Sequence, residues 1–305
     1  MPASPTATAT QIKDVNTRYH DAAADEYDAK WGIDFGATGQ RQVRLKLAKA
    51  LGGIDRGGFG DGLEIGSGTG YFSLNLLQLG VVERLTATDI SPRMLERLSA
   101  TAEALDLEAE TVAAEAEALP FEDESFDIVF GHAVLHHIPD LDRALSEFRR
   151  VLRPGGAISF CGEPSRYGDR LAALPKRAGS ALAPAWRELV GARRRLVPEA
   201  ELSNGHALES EVDVHAFAPA DLRRLLASAG FERCRVSGEE LLANAWGWSL
   251  RTVEASAEPE SVSWRWRNFA FRSYLALQRV DSRVLEPYLP AELFYNLLAS
   301  GRRPA

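Results

Sequence analysis

Apolar positions follow two different rhythms along this chain. Between Gly62 and Cys161, short apolar runs alternate with helical stretches of about a dozen residues, the pattern of parallel strands covered by helices on both faces. Five strands are predicted there: Gly62 to Ile65, Arg84 to Thr88, Glu110 to Ala114, Phe126 to Phe130 and Ala157 to Cys161. The helices between them open near Tyr71, at Pro92 behind Ser91 as N-cap, and at Asp140, the last ending at Pro154-Gly155-Gly156. Upstream, Val43, Leu47 and Leu51 recur at helical spacing in a helix over Gln40 to Leu51 that Gly52-Gly53 stops. Asp14 to Trp31 has a thinner stripe, with Tyr19, Tyr27 and Trp31 as its bulky members, and is predicted to pack as a partial lid. Downstream, a helix over Pro219 to Ala229, a strand over Phe231 to Ser237 and a last strand in the run FYNLLAS resume the alternation.

This arrangement predicts one domain over residues 13–305 behind a disordered tail, residues 1–12. Residues 13–52 form lid helices, 62–163 a ligand-binding core, and 164–217 and 242–293 helical insertions placed at the same sheet edge, on the substrate side. The chain has 305 residues and a formal charge of −8, which argues against nucleic acid as a partner. Its two cysteines, Cys161 and Cys234, make neither a disulfide framework nor a zinc-type cluster, and a reducing cytoplasm is the expected location. The first eleven residues have neither the positive charge nor the apolar centre of a secretory signal, and no run reaches the length of a membrane-spanning helix.

Glu64-Ile65-Gly66-Ser67-Gly68-Thr69-Gly70 joins the first strand to its helix, where glycines allow a tight turn and close approach of a ligand to the backbone. Asp89 follows Gly66 by 23 residues, at the end of the second strand, where a carboxylate can accept both hydroxyls of a ribose. Dinucleotide sites favour Gly-x-Gly-x-x-Gly, because a pyrophosphate needs the helix N-terminus. Here the spacing is Gly-x-Gly-x-Gly with Glu64 just ahead of it, an acid that would repel pyrophosphate but suits a cationic cofactor with an amino acid end, such as S-adenosylmethionine.

The chain resembles the class I S-adenosylmethionine-dependent methyltransferases, in particular the subgroup that includes quinone and small-molecule methyltransferases. The resemblance covers Gly62 to Glu163 and rests on LEIGSGTGYFS, TATDIS, AEAEALPFEDESFDIVFGHAVLHHIPD and RVLRPGG, in the expected order. It implies an α/β, Rossmann-like doubly wound sheet of seven strands, mostly parallel with the last antiparallel, plus helical lid insertions. It also implies S-adenosylmethionine as cofactor, with Glu64, Gly66, Ser67 and Gly68 at its methionine moiety and Asp89 at its ribose. Ile90 would flank the adenine and Glu115 with Ala116 meet its edge, although many relatives carry Asp where this chain has Glu115. Tyr27 would close over the cofactor, with helix packing as its alternative role, and Leu119-Pro120-Phe121 would shape a loop against the adenine.

Methyl transfer from a sulfonium is an in-line displacement, so alignment and exclusion of water are the main requirements and a general base is optional. His132, after the fourth strand, is the candidate base or positioning residue, with a packing role as its alternative. His136 and His137 are read as scaffold. No metal site is expected, since no Glu follows His132 as in a zincin motif. Glu163, ending the fifth strand, is a second candidate for the substrate face, or else a solvated loop carboxylate.

Acceptor specificity is expected in the insertions. Arg166 to Arg195 carries eight basic side chains against two acids, and the second insertion holds Trp246, Trp248, Trp264 and Trp266. Both suit a small or medium, largely apolar acceptor such as a quinone, polyketide-like metabolite or lipid precursor; peripheral contact with anionic lipid is the lesser reading. Two other function classes compete: a non-catalytic S-adenosylmethionine-binding regulator, and a nicotinamide-dependent oxidoreductase, which the glycine spacing disfavours.

Overall fold

Thr8 starts the first helix. Its hydroxyl accepts the Gln11 N–H at 3.3 Å while the Gln11 side chain accepts the Thr8 N–H at 2.8 Å, a reciprocal cap that satisfies two donors with no partner inside the helix. In the computed structural model, which describes residues 8–25, 27–28, 32–55, 57–195 and 214–305, helix α1 therefore spans Ala9–Ala23. Order begins inside the stretch read as a tail, because that reading overlooked the capping box; residues 1–7, Trp31 and residues 196–213 lie outside the described residues. Helix α2 (Ala37–Leu51) ends at Gly52, whose left-handed φ of 78° lets the Gly52 and Gly53 amides close on Lys49 and Ala48.

The alternation follows as read: β1 (Phe59–Ile65), α3 (Tyr71–Gln78), β2 (Val82–Asp89), α4 (Pro92–Ala104), β3 (Glu110–Ala113), β4 (Phe126–His132), α5 (Leu141–Val151) and β5 (Leu152–Pro164). Then come α6 (Gly168–Val190), α7 (Pro219–Ser228), β6 (Glu232–Glu239), α8 (Leu241–Ala255), α9 (Trp264–Val280) and β7 (Asn296–Arg302). The seven strands form one sheet in the order β3-β2-β1-β4-β5-β7-β6, parallel from β3 through β5 and antiparallel at the end. Between β1 and β4 the order reverses, which opens a crevice at the carboxyl ends of the strands.

Several strands outrun their apolar cores because pairing and charge extend them. β5 takes in Arg153 to Gly156, with Phe126 opposite Leu152 and the Arg153 guanidinium on Asp127 and Asp61 at 2.8 and 2.9 Å. Leu63, Ile65, Ile128, Phe130, Ala157 and Ile158 are fully buried on the central strands, and Phe72, Leu74 and Leu76 of α3 are buried with them. Each large side chain so buried contributes about 1.5–3 kcal/mol.

The chain divides into two compact units: Met1–Glu163, Leu208–Val236 and Leu298–Ala305 form the first, and Pro164–Ala207 with Ser237–Leu297 the second. In the second unit the two insertions fold together. Gly179 of α6 approaches α8 so closely that an added Cβ would lie 2.9 Å from the Ser249 carbonyl. Trp186 meets Trp266 edge-on at 5.3 Å beside Ala183, Val253, Ala257 and Val262, and the Trp266 indole donates to Glu254 at 2.7 Å. Trp266, half-buried, thus packs against the core of this unit, whereas Trp264 is exposed. Among the described residues, no helix is long and apolar enough to cross a membrane.

Candidate functional site

The turn after β1 needs left-handed backbone, with φ of 61° at Gly66 and 52° at Gly68. A Cβ on Gly66 would collide with Val134 Cγ2 at 2.3 Å, whereas one on Gly68 would meet only Tyr27 Cε1 at 4.0 Å, so the backbone at Gly68 is open to a ligand. Asp89 holds the turn from the end of β2: its two carboxylate oxygens accept the Gly68 and Ser91 N–H groups, each at 2.8 Å. Burial pushes the Asp89 carboxyl above its ordinary range, opposed by the charge of His20 and by the amides at Ser91, Gly68 and Ile90.

Beneath the turn lies Glu64, 1% exposed. Burial pushes its carboxyl up to about 8 against the pull of Ser73, and the Asp89 charge adds to the rise. Glu64 Oε2 and Ser67 Oγ are both buried without a hydrogen-bond partner, which leaves each able to take one from a polar ligand. A cationic ammonium would satisfy the first, so these residues fit a ligand with that end.

A cavity opens beyond the turn at the ends of β1, β2 and β4. Its walls include Ile65, Gly66 and Gly68, then Thr88, Asp89 and Ile90, then Ala114 to Glu117, and His132 to Val134. Helix α1 contributes Lys13, Asn16 and His20, and Tyr27 follows. This segment is tied down by Asp21 accepting the Ser91 hydroxyl and Asp28 accepting the Thr69 hydroxyl, both at 2.6 Å, and by Asp25 on Arg93 at 2.9 Å. Burial pushes the Tyr27 hydroxyl well above its ordinary range, and it stays neutral.

On the opposite wall, the short turn Leu135–His137 is organised by Glu163. One carboxylate oxygen accepts the Val134 and Leu135 amides at 3.0 Å each; the other accepts the His136 amide at 3.2 Å and meets His136 Nδ1 at 2.9 Å. Glu163 is fully buried, neither a substrate-facing group nor a solvated one, because these donors claim both oxygens. Burial alone would raise its pKa, but His136 and the amides outweigh that and hold it below the ordinary range. Stability from this carboxylate is therefore present above its unfolded pKa and lost as pH falls through the lower folded value. Glu163→Ala is expected to cost about 3 kcal/mol or more, read as a lowered melting temperature, since three buried amides lose their acceptor.

Of the residues singled out from sequence, Tyr27, Gly66, Gly68, Asp89, Ile90, Glu115, Ala116 and His132 line one cavity, while Glu64 and Ser67 are buried and do not line it. Glu115 is half-exposed and bound by Lys13 at 2.6 Å, with buried Glu117 on the same ammonium at 3.1 Å. Leu119-Pro120-Phe121 does not line the cavity; Arg150 binds the Leu119 and Phe121 carbonyls at 3.0 and 2.7 Å, and Glu147 accepts the Leu119 amide. His132 is stacked on Phe72 at 5.4 Å and edge-on to Tyr71 at 5.9 Å. Sequence reasoning missed Lys13, Asn16 and His20, whose spacing of three and four residues marks one helix face. It also read His137 as scaffold, yet this ring lines the cavity and meets His20 edge-on at 5.8 Å.

Residues 63–160 match the family described as "Methyltransferase domain". A malonyl-[acyl-carrier protein] O-methyltransferase of Methylococcus capsulatus is 35% identical over 180 residues, spanning 55% of this chain and 60% of that protein. A 27-O-demethylrifamycin SV methyltransferase of Amycolatopsis mediterranei is 33% identical over 152 residues, 46% of this chain and 55% of that one. The chain thus matches little more than half the length of these relatives. The solved structure of Haemonchus contortus phosphoethanolamine N-methyltransferase 2 in complex with S-adenosyl-L-methionine covers 98% of this chain and 61% of its own, with a TM-score of 0.60 at 16% identity, a likeness of fold alone. The matched stretch, from Leu63 to Phe160, is the one that supplies the glycine turn, the ends of β1, β2 and β4 and most of the cavity wall, and it is this stretch of the chain that is similar to a methyltransferase domain.

Proposed function

We propose that this protein transfers a methyl group from S-adenosylmethionine to a small or medium, largely apolar acceptor, such as a quinone, a polyketide-like metabolite or a lipid precursor. The observation that carries the reading is the pair of buried acids at the ends of adjacent strands, Glu64 with an unpartnered oxygen and Asp89 at the cavity wall. Glu64 and Ser67 would hold the methionine end, Gly66 and Gly68 would admit it, and Asp89 would take the ribose. Ile90 and Ala116 would bracket the adenine, with Glu115 at its edge through a carboxylate that Lys13 already orients. When bound, the cofactor supplies an electrophilic methyl on a positively charged sulfur.

The chain's own task is to align the acceptor and keep water out, and Tyr27 with α1 covers the turn for that purpose. Val134, Ile138 and Pro139 make part of the wall apolar, which supports an apolar acceptor, as does the rifamycin substrate that one relative's name states. A ring nitrogen of His132 would receive a proton where the acceptor is a hydroxyl.

Titration calorimetry with S-adenosylmethionine, S-adenosylhomocysteine and NADH tests the cofactor. Micromolar binding of the first two without the third is expected; binding of NADH alone would refute the reading. Binding with no turnover across quinone, polyketide and lipid extracts in a radiolabelled-methyl assay would mark a regulator. His132→Ala is expected to lower kcat about 100-fold at unchanged cofactor affinity if the ring moves a proton. A loss under tenfold assigns it to packing against Phe72.

A further inference from the structure

We propose that α6 is a membrane-surface helix that docks the protein on anionic lipid. Its buried side is made of Ala172, Gly179, Ala183 and Trp186, which face the core of the second unit. A second apolar row points outward. Leu171, Leu174, Leu182 and Leu189 are 36%, 69%, 62% and 83% exposed. At about 100° per residue these four share an arc of roughly 80°, and the row runs for about 27 Å along the helix. Exposed Arg170 and Arg177 lie along its outer flank.

Scattered exposed leucines need no explanation, but a row along one side of a helix, flanked by Arg170 and Arg177 with Glu188 at its far end, does. That combination suits a helix lying in the plane of an interface, with leucines in the acyl boundary and guanidinium groups among phosphates. Charge selects the occupant. Arg170 and Arg177 outnumber Glu188 on this flank, within a stretch, Arg166 to Arg195, that is basic by eight to two in a chain whose net charge is −8, so an anionic surface is the partner this stretch attracts. In the same unit α9 carries exposed Trp264, Phe269 and Phe271 and four arginines without an acid, which adds apolar and basic groups of the same kind.

The full chain should be tested by co-sedimentation with vesicles of phosphatidylcholine alone and of phosphatidylcholine with an equal part of phosphatidylglycerol. At least fivefold more protein is expected on the anionic vesicles, with the excess removed by 0.5 M salt. Two double variants, Leu182→Glu with Leu189→Glu and Arg170→Glu with Arg177→Glu, should each lose that excess while keeping wild-type melting temperature and S-adenosylhomocysteine affinity. These readouts are independent of the proposed acceptor. Equal binding to both vesicle types, binding unchanged in both variants, or a wild-type dimer that the leucine variant converts to monomer without any vesicle binding would each overturn the proposal.

Discussion

Glu64→Gln is expected to raise the melting temperature of the ligand-free protein at pH 8 while lowering its affinity for S-adenosylmethionine at least tenfold. The two effects have one cause. A carboxyl whose folded pKa lies near 8, above the ordinary carboxylate range, contributes stability that is fully present below its unfolded pKa and lost as pH rises through the folded value. Near neutral pH that loss is on the order of 3 kcal/mol, and an amide of the same shape, which does not ionise, escapes it. A gain of roughly 5 °C follows for a protein of this size. The same carboxyl must ionise to meet an ammonium, so cofactor affinity in the wild type should increase from pH 6 to pH 8 with release of a proton. Calorimetry in two buffers of different ionisation enthalpy measures that release, and Glu64→Gln should abolish it. A variant that is no more stable at pH 8 and binds cofactor as the wild type does would remove Glu64 from the site.

Asp89→Ala should weaken cofactor binding by roughly 100-fold. Its carboxylate anchors the turn through the Gly68 and Ser91 amides and has lone pairs left for two ribose hydroxyls. Charge-assisted bonds of this kind are worth about 1.5–3 kcal/mol each. Asp89→Asn separates the two roles, because an amide oxygen can serve one of the two backbone donors and one hydroxyl; an intermediate affinity with a smaller drop in melting temperature is expected. Unchanged affinity in Asp89→Ala, measured by titration with S-adenosylhomocysteine, would end the ribose assignment even if stability fell.

Much of the site was legible because its signals are local. The glycine turn, Glu64, Asp89 and the Ser91-Pro92 helix start follow from backbone rules that act over a few residues, and strands buried on both faces announce themselves as apolar runs. Glu163 was misread for the opposite reason: its partners, the amides of Val134, Leu135 and His136, are nearly thirty residues away in sequence, and only β4–β5 pairing brings them to it. Lys13 with Glu115 and His20 beside His137 are likewise long-range pairs.

By itself, then, the order of short-range patterns determined the alternating α/β core, the glycine turn after β1 as the place for a ligand, and the acids at the ends of β1 and β2. Tertiary structure alone decided which carboxylates are buried and in what state. The fate of a carboxyl depends on the solvent and donors that folding removes or supplies: Glu64 is left short of partners and driven toward its neutral form, whereas Glu163, equally buried, is surrounded by amides and an imidazole and held charged.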